Sequence, residues 1–347
     1  LGGILKKSHK LVVAIAAASL MVPVAIAPAN AAGVKQKVCV ALDTGGINDK
    51  SFNELSYAGA KSALKKGYAS TIKYIPKTAT SYEENVAQCV KDKSTVIVGV
   101  GYLLGDAITA SAKANPGIKY VMVDFPSGGA NVKGLTYKTN ENSFLAGYMA
   151  AGYSKTGVVA TYGGAPIPTV SIFMDGFAKG VEYYNDVKGK SVKVLGWDTA
   201  KKTGTFVGGF TDQVKAKEFS VAFEAQKADV IFPVGGSLVV GTVENSLVSK
   251  KSVALWVDAD AHLAAPKYDS VVMLSVLKGL QISVEQAIKS AYDGKFDNTL
   301  YVGTLKNKGV SISPLYGKYK STLISKGLQA EIADLATNIA AGYISAE

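Results

Sequence analysis

The chain is predicted to be an α/β protein built from two doubly wound parallel sheets, and three observations carry that prediction. Short apolar runs of strand type alternate with amphipathic helical patterns at the spacing of strand–helix–strand units. Nine such strands exceed one small sheet, and 347 residues suffice for two domains. The composition, 48% hydrophobic and 19% charged, is that of a packed globular chain and excludes disorder.

Taken in order, residues 1–31 read as a signal peptide. Lys6, Lys7 and Lys10 precede an apolar run from Leu11 to Pro28, and Ala29-Asn30-Ala31 has the small-x-small pattern of a cleavage site. Pro23 and Pro28 argue against a permanent span, with an uncleaved anchor as the alternative, and no other stretch is apolar for long enough. The first strand, Lys37–Leu42, ends at Asp43 and two glycines, and the helix Ser51–Lys65 begins just after Asn48 and Asp49, residue types that cap helices. Further strands are predicted at Thr71–Ile75, Thr95–Val100, Lys119–Val123, Val158–Tyr162, Ser191–Leu195, Val230–Val234, Ala254–Val257 and Val271–Val276. Helical periodicity fills the gaps at Ser81–Lys91, Asp106–Ala114, Glu141–Ser154, Ile172–Tyr184, Gln213–Ala225 and Ile282–Tyr292.

An extended segment at Gly134–Thr139, just before the helix at Glu141, is the expected crossing between two lobes, with a return near Ala264–Asp269. The first lobe then takes residues 32–137 and 268–297, and the second 138–267 and 298–347. In such a hinged pair a ligand sits in the cleft at the strands' carboxyl ends.

Formal net charge is +11, falling to +8 without the three lysines of the leader. All positive residues are lysine, with no arginine. The side chain best suited to bidentate recognition of bases, phosphates and carboxylates is therefore missing, which argues against nucleic acid, amino acids and organic acids as partners. A lysine-covered solvated face also suits an anionic cell envelope. The two cysteines, Cys39 and Cys89, leave two alternatives open in an exported protein: a disulfide, or two buried thiols packing as small apolar groups.

Enzyme chemistry has little material. Only His9 and His262 exist, and His9 leaves with the leader, so neither a histidine-dependent triad nor a multi-histidine metal site is expected. Gly99-Val-Gly101-Tyr-Leu-Leu-Gly105 is one residue off a dinucleotide fingerprint, and Gly189-Lys190-Ser191 lacks the upstream glycine of a phosphate loop, so no cofactor is expected either. Paired carboxylates leave an exported nucleoside hydrolase as the enzyme alternative. What the sequence does offer is a carboxylate after each of three strands, Asp43, Asp124 and Asp258, which points to a ligand with several hydroxyls. Phe52, beside so many acceptors, adds a flat apolar face, and a nucleoside has both features.

Asp43-Thr-Gly-Gly46, Asp49-Lys-Ser-Phe52-Asn53, Ser143-Phe-Leu-Ala-Gly-Tyr148, Lys155-Thr-Gly157 and Asp175-Gly-Phe177 resemble, in order along the mature chain, the basic membrane protein family of ABC-transporter solute-binding proteins. The resemblance implies a type I periplasmic binding protein fold, a purine nucleoside ligand, a membrane permease with its ATPase as partners, and a monomer at the extracytoplasmic face. It implies that Phe52 and Phe210 stack on the base while Asp43 and Asn53 hydrogen-bond. Asp124 and Asp258 would meet the ribose, with Asp260 as a competitor for Asp258. Gly236 would let backbone approach the ligand, Lys278 would donate to it, and Tyr102 stands where Phe is usual. Many relatives carry a lipid on a cysteine after the leader, whereas Cys39 lies inside the first strand, so no lipid anchor is expected. A monosaccharide or autoinducer receptor of the same fold is the alternative binding protein.

Overall fold

The computed structural model describes residues 1–2, 33–78, 80–126 and 128–347, so the signal-peptide reading lies outside the described residues. The chain runs β1 (Gln36–Ala41), α1 (Phe52–Lys65), β2 (Ala69–Ile75), α2 (Tyr82–Lys91), β3 (Val96–Val100), α3 (Gly105–Ala114), β4 (Lys119–Val123) and β5 (Val132–Tyr137). These strands pair in parallel in the order β5-β4-β3-β1-β2. A second series follows: α4 (Thr139–Tyr153), β6 (Val158–Gly163), α5 (Pro168–Lys188), β7 (Lys193–Leu195), a small ribbon β8 (Trp197–Asp198) and β9 (Thr203–Gly204), then α6 (Gln213–Ala225). It continues with β10 (Val230–Val234), α7 (Leu238–Ser249), β11 (Val253–Asp258), α8 (Ala261–Ala264) and β12 (Val272–Lys278). The last elements are α9 (Leu280–Tyr292), β13 (Tyr301–Gly303), β14 (Val310–Ile312) and α10 (Lys326–Ala341).

The second sheet has the order β14-β12-β11-β10-β6-β7, and β13 returns to the first sheet beside β5. Every residue of β3 and of β10 is buried, as expected for parallel strands covered on both faces, which is why they read as unbroken apolar runs.

Several expectations are corrected. The return crossing is not at Ala264–Asp269: Val272–Lys278 stays in the second sheet between β11 and β14, and the chain leaves only at Gly279. Residues 272–278, expected in the first lobe, thus belong to the second sheet, whereas Tyr301–Gly303, expected in the second lobe, pairs with β5. Sheet membership is decided by neighbours far away in sequence, which local periodicity does not see. The extended segment at Gly134–Thr139 holds most of strand β5 and the first residue of α4. Helices α7, α8 and α10 add to those that the sequence pattern marks.

Two of the motifs quoted above build a helix crossing. A Cβ on Gly147 of α4 would lie 2.0 Å from the Phe177 carbonyl oxygen of α5, and one on Gly180 of α5 would lie 2.0 Å from that of Phe144. Glycine at these positions brings the two backbones into direct contact, and α4 is buried along most of its length.

Cys39 on β1 and Cys89 on α2 are joined in a disulfide, with both residues fully buried and Cα atoms 5.7 Å apart, which settles the alternative left open by the sequence. Closing a loop of 50 residues, the bridge is expected to stabilise the fold by about 2–4 kcal/mol. Thermal melts with and without reductant, and of Cys39→Ala/Cys89→Ala, check this; unchanged melting under full reduction would remove the bridge from the account.

Candidate ligand-binding site

Both sheets direct the carboxyl ends of their strands at one cavity. In the first sheet the strand order reverses between β1 and β3, and Asp43 and Gly101 follow these two strands. In the second it reverses between β6 and β10, and Gly235 and Gly236 follow β10. Such reversal points leave a crevice because successive connections depart to opposite sides of the sheet. Pro233 deepens it: β10 pairs with β11 only at Val230 and Ile231, so the two strands part before Asp258. The space enclosed by its lining, open mouth included, is about 560 Å³. All eight residues singled out from the sequence line it: Asp43, Phe52, Asn53, Asp124, Phe210, Gly236, Asp258 and Lys278.

Asp124 and Asp258 occupy equivalent places, each closing a strand with a positive φ, 63° and 64° respectively. This left-handed turn, which Asp tolerates better than most side chains, carries each carboxylate out of its strand's line and into the cavity lining. Lys278, at the end of β12, donates to Asp124 Oδ2 at 2.6 Å, forming a buried ion pair between the two sheets. Its Nζ also lies 5.0, 5.1 and 5.4 Å from the ring centroids of Phe52, Tyr137 and Phe173. Burial pushes the Asp124 carboxyl above its usual range, opposed by Lys278. Ser51 Oγ donates to Asp258 Oδ2 at 2.9 Å, while Asp258 Oδ1 is buried with no partner. Burial pushes Asp258 up to about 6, again opposed by Lys278 and reinforced by Asp124.

On the first sheet, Asp43 accepts from the Thr44 N–H at 2.7 Å and from the Tyr82 hydroxyl, and burial raises its carboxyl despite the Tyr82 bond. Gly101 explains its place in the near-fingerprint: with φ +111° and a hypothetical Cβ only 2.4 Å from Asp43 Oδ2, it leaves room for this carboxylate rather than for a dinucleotide. Asp49 caps α1, accepting from the N–H groups of Ser51, Asn53 and Glu54 at 2.8–3.1 Å. Asn53 reaches the cavity with its amide already engaged: Oδ1 accepts from the Asp43 N–H, and Nδ2 donates to Thr44 O and Asp49 Oδ2. The latter contacts assign it to holding the Asp43–Asp49 loop.

Phe52 opens α1, and Phe210 approaches from the second half, its ring against Gly164 and Gly235 and its carbonyl held by Ser237 Oγ at 2.9 Å. Asp260, the competitor of Asp258, is turned away: it accepts from His262 N–H and from the Tyr316 hydroxyl at 2.6 Å and does not line the cavity. Tyr102 both lines the cavity and packs on Phe125 at 5.5 Å. Sequence reading missed Phe173, Ile167 and Thr169 of the wall formed by the start of α5, where no polar motif marks them.

The family model for the ABC transporter substrate-binding protein PnrA-like family, Bmp, matches residues 35–340. The ABC transporter nucleoside-binding protein BmpA of Lactococcus lactis subsp. cremoris is 30% identical over 335 residues, covering 89% of this chain and 92% of its own. Basic membrane protein A of Borreliella burgdorferi is 27% identical over 312 residues, covering 87% and 85%. Among solved structures, an ABC transporter system solute-binding protein from Aeropyrum pernix superposes with a TM-score of 0.78 at 23% identity, covering 89% of this chain and 92% of that one, which establishes a shared fold. With its two parallel sheets converging on one cavity and a family match over nearly all the described chain, this protein belongs to the Bmp family of ABC-transporter substrate-binding proteins.

Proposed function

We propose that the protein is an extracytoplasmic receptor that captures a nucleoside, a purine nucleoside by preference, and delivers it to a membrane permease driven by a cytoplasmic ATPase. The observation that carries this reading is the pair of aromatic rings, Phe52 and Phe210, contributed by the two halves to a cavity that also holds carboxylates at its strand ends. A flat base between two rings and hydroxyls on carboxylates is the arrangement such a cavity serves. Asp258 Oδ1, buried without a partner, is the natural acceptor for a ribose hydroxyl, and Asp124 is the second. Asp43 remains an acceptor at the far wall, Lys278 a donor, and Gly236, with φ +49°, lets the β10–α7 turn come close. Asn53 acts by fixing the loop that presents Asp43 and Phe52.

Four carboxylates, Asp43, Asp49, Asp124 and Asp258, face a single ammonium in this cavity, so a neutral ligand is preferred over a phosphorylated one. Neither histidine nor cysteine is part of the lining, and the reading requires no bond to be made or broken. The two sheet-centred halves act as lobes of a monomer that close on the ligand, and closure is what the permease reads. Export places the receptor at the outer face of the membrane, and among the described residues no helix is long and apolar enough to cross one.

Asp258 sets the pH dependence. Its folded-state pKa, about 6, lies above its ordinary value, so the empty protein binds a proton more readily folded than unfolded, and the cost of this buried charge fades as pH falls through 6. Binding runs the other way, because a protonated Asp258 loses acceptor capacity. At about pH 5 only about a tenth of a group with that pKa is ionised, so nucleoside affinity is expected to fall by up to roughly tenfold from neutral pH, while the empty protein's melting temperature does not fall in parallel. Calorimetry and melting at both pH values check this; equal affinities would remove Asp258 from ligand contact.

A further inference from the structure

A second hollow opens beside the main cavity, sharing Asp124, Thr169 and Lys278 with it and extending to Tyr137, Thr139 and Ile172. Its most informative member is Thr139, the first residue of α4, which is 1% exposed and whose Oγ1 has no hydrogen-bond partner. A buried hydroxyl left unpaired is destabilising, so such an atom is expected to meet something that binds there. The Tyr137 hydroxyl is already engaged with Ser283 Oγ at 2.5 Å. The α5 N-terminus that supplies Thr169 has no side-chain cap.

We propose that this hollow is a subsite for the primary alcohol of the ligand, read by Thr139 Oγ1. The proposal rests on the nucleoside reading above: with the vicinal ribose hydroxyls on Asp124 and Asp258, the 5′-hydroxyl is the polar group left to place, and the hollow begins at Asp124. An alcohol both donates and accepts, which matches an Asp124 carboxylate, a Lys278 ammonium and an unpaired threonine hydroxyl around one space. A phosphate in the same position would face the Asp124 carboxylate with only Lys278, already paired to it, to compensate. The rest of the wall is Pro168, Ile172 and the Tyr137 ring, with Thr136 turning its hydroxyl to the Tyr301 carbonyl, and it suits the 5′-methylene.

The test is calorimetric titration with adenosine, inosine and guanosine, each against its 5′-deoxy analogue. The native protein is expected to bind the parent nucleoside about tenfold more tightly than the 5′-deoxy compound. Thr139→Val, which keeps shape and removes the hydroxyl, is expected to bind the two compounds almost equally, whereas Thr139→Ser restores the preference. Equal binding by the native protein, a comparison that needs no variant, overturns the subsite, as does a Thr139→Val protein that keeps the full preference. If the native protein binds neither member of any pair, the nucleoside reading itself fails and the subsite falls with it, a result distinct from the other two.

Discussion

Lys278→Met is expected to lower unfolding free energy by about 3–5 kcal/mol at neutral pH, the usual cost of removing one partner of a buried ion pair. Lys278 and Asp124 are both buried and 2.6 Å apart, and Asp258 is a second buried carboxylate that Lys278 stabilises in its charged form. The loss should shrink as pH falls, because both carboxyls, already raised by burial, then take up protons and no longer need the ammonium. Adding Asp124→Leu should recover much of the stability, since replacing a buried pair by apolar side chains is often neutral. Denaturant titrations of the single and double variants at two pH values check all three statements. A loss under about 1 kcal/mol, typical of exposed pairs, would mean that water reaches the pair and that the two sheets are not held together through it.

Phe52→Ala and Phe210→Ala are each expected to weaken nucleoside binding by about 1–3 kcal/mol, and the pair together by about 2–6 kcal/mol, by analogy with base–aromatic stacking. Neither side chain is fully buried in the hydrophobic core, so their removal should cost much less in stability than in affinity. Calorimetry on folded variants separates the two effects. If the double variant binds as tightly as the native protein, the rings are packing residues and the base is not read between them.

Much of this arrangement is legible in the sequence because parallel strands have a simple signature. Fully buried runs such as Val96–Val100 and Val230–Val234 stand out from their polar flanks, and the residue after each is placed at the sheet's carboxyl edge by topology alone. Asp43, Asp124 and Asp258 are therefore identifiable as cleft residues from strand pattern alone, but their local roles are not. The left-handed turns at Asp124 and Asp258, the ion pair joining Lys278 to a residue 154 positions away, and the choice of Asp258 over Asp260 all depend on side chains from other elements. The late crossing at Gly279 is hidden for the same reason, because only the neighbours of β12, β11 and β14, say which sheet it joins. Asn53 combines the expected position with an unexpected task, since an amide beside a cavity can serve the loop as readily as the ligand.

The most direct test of the central claim is calorimetric titration of the protein, unfolded and refolded to strip any co-purified ligand, with adenosine, guanosine, inosine, uridine, ribose and glucose. Submicromolar binding of purine nucleosides, with none detectable for ribose or glucose, is the predicted result and would show that the base between Phe52 and Phe210 carries recognition. Binding of the sugars without the nucleosides would contradict the account and make the protein a sugar receptor of the same fold.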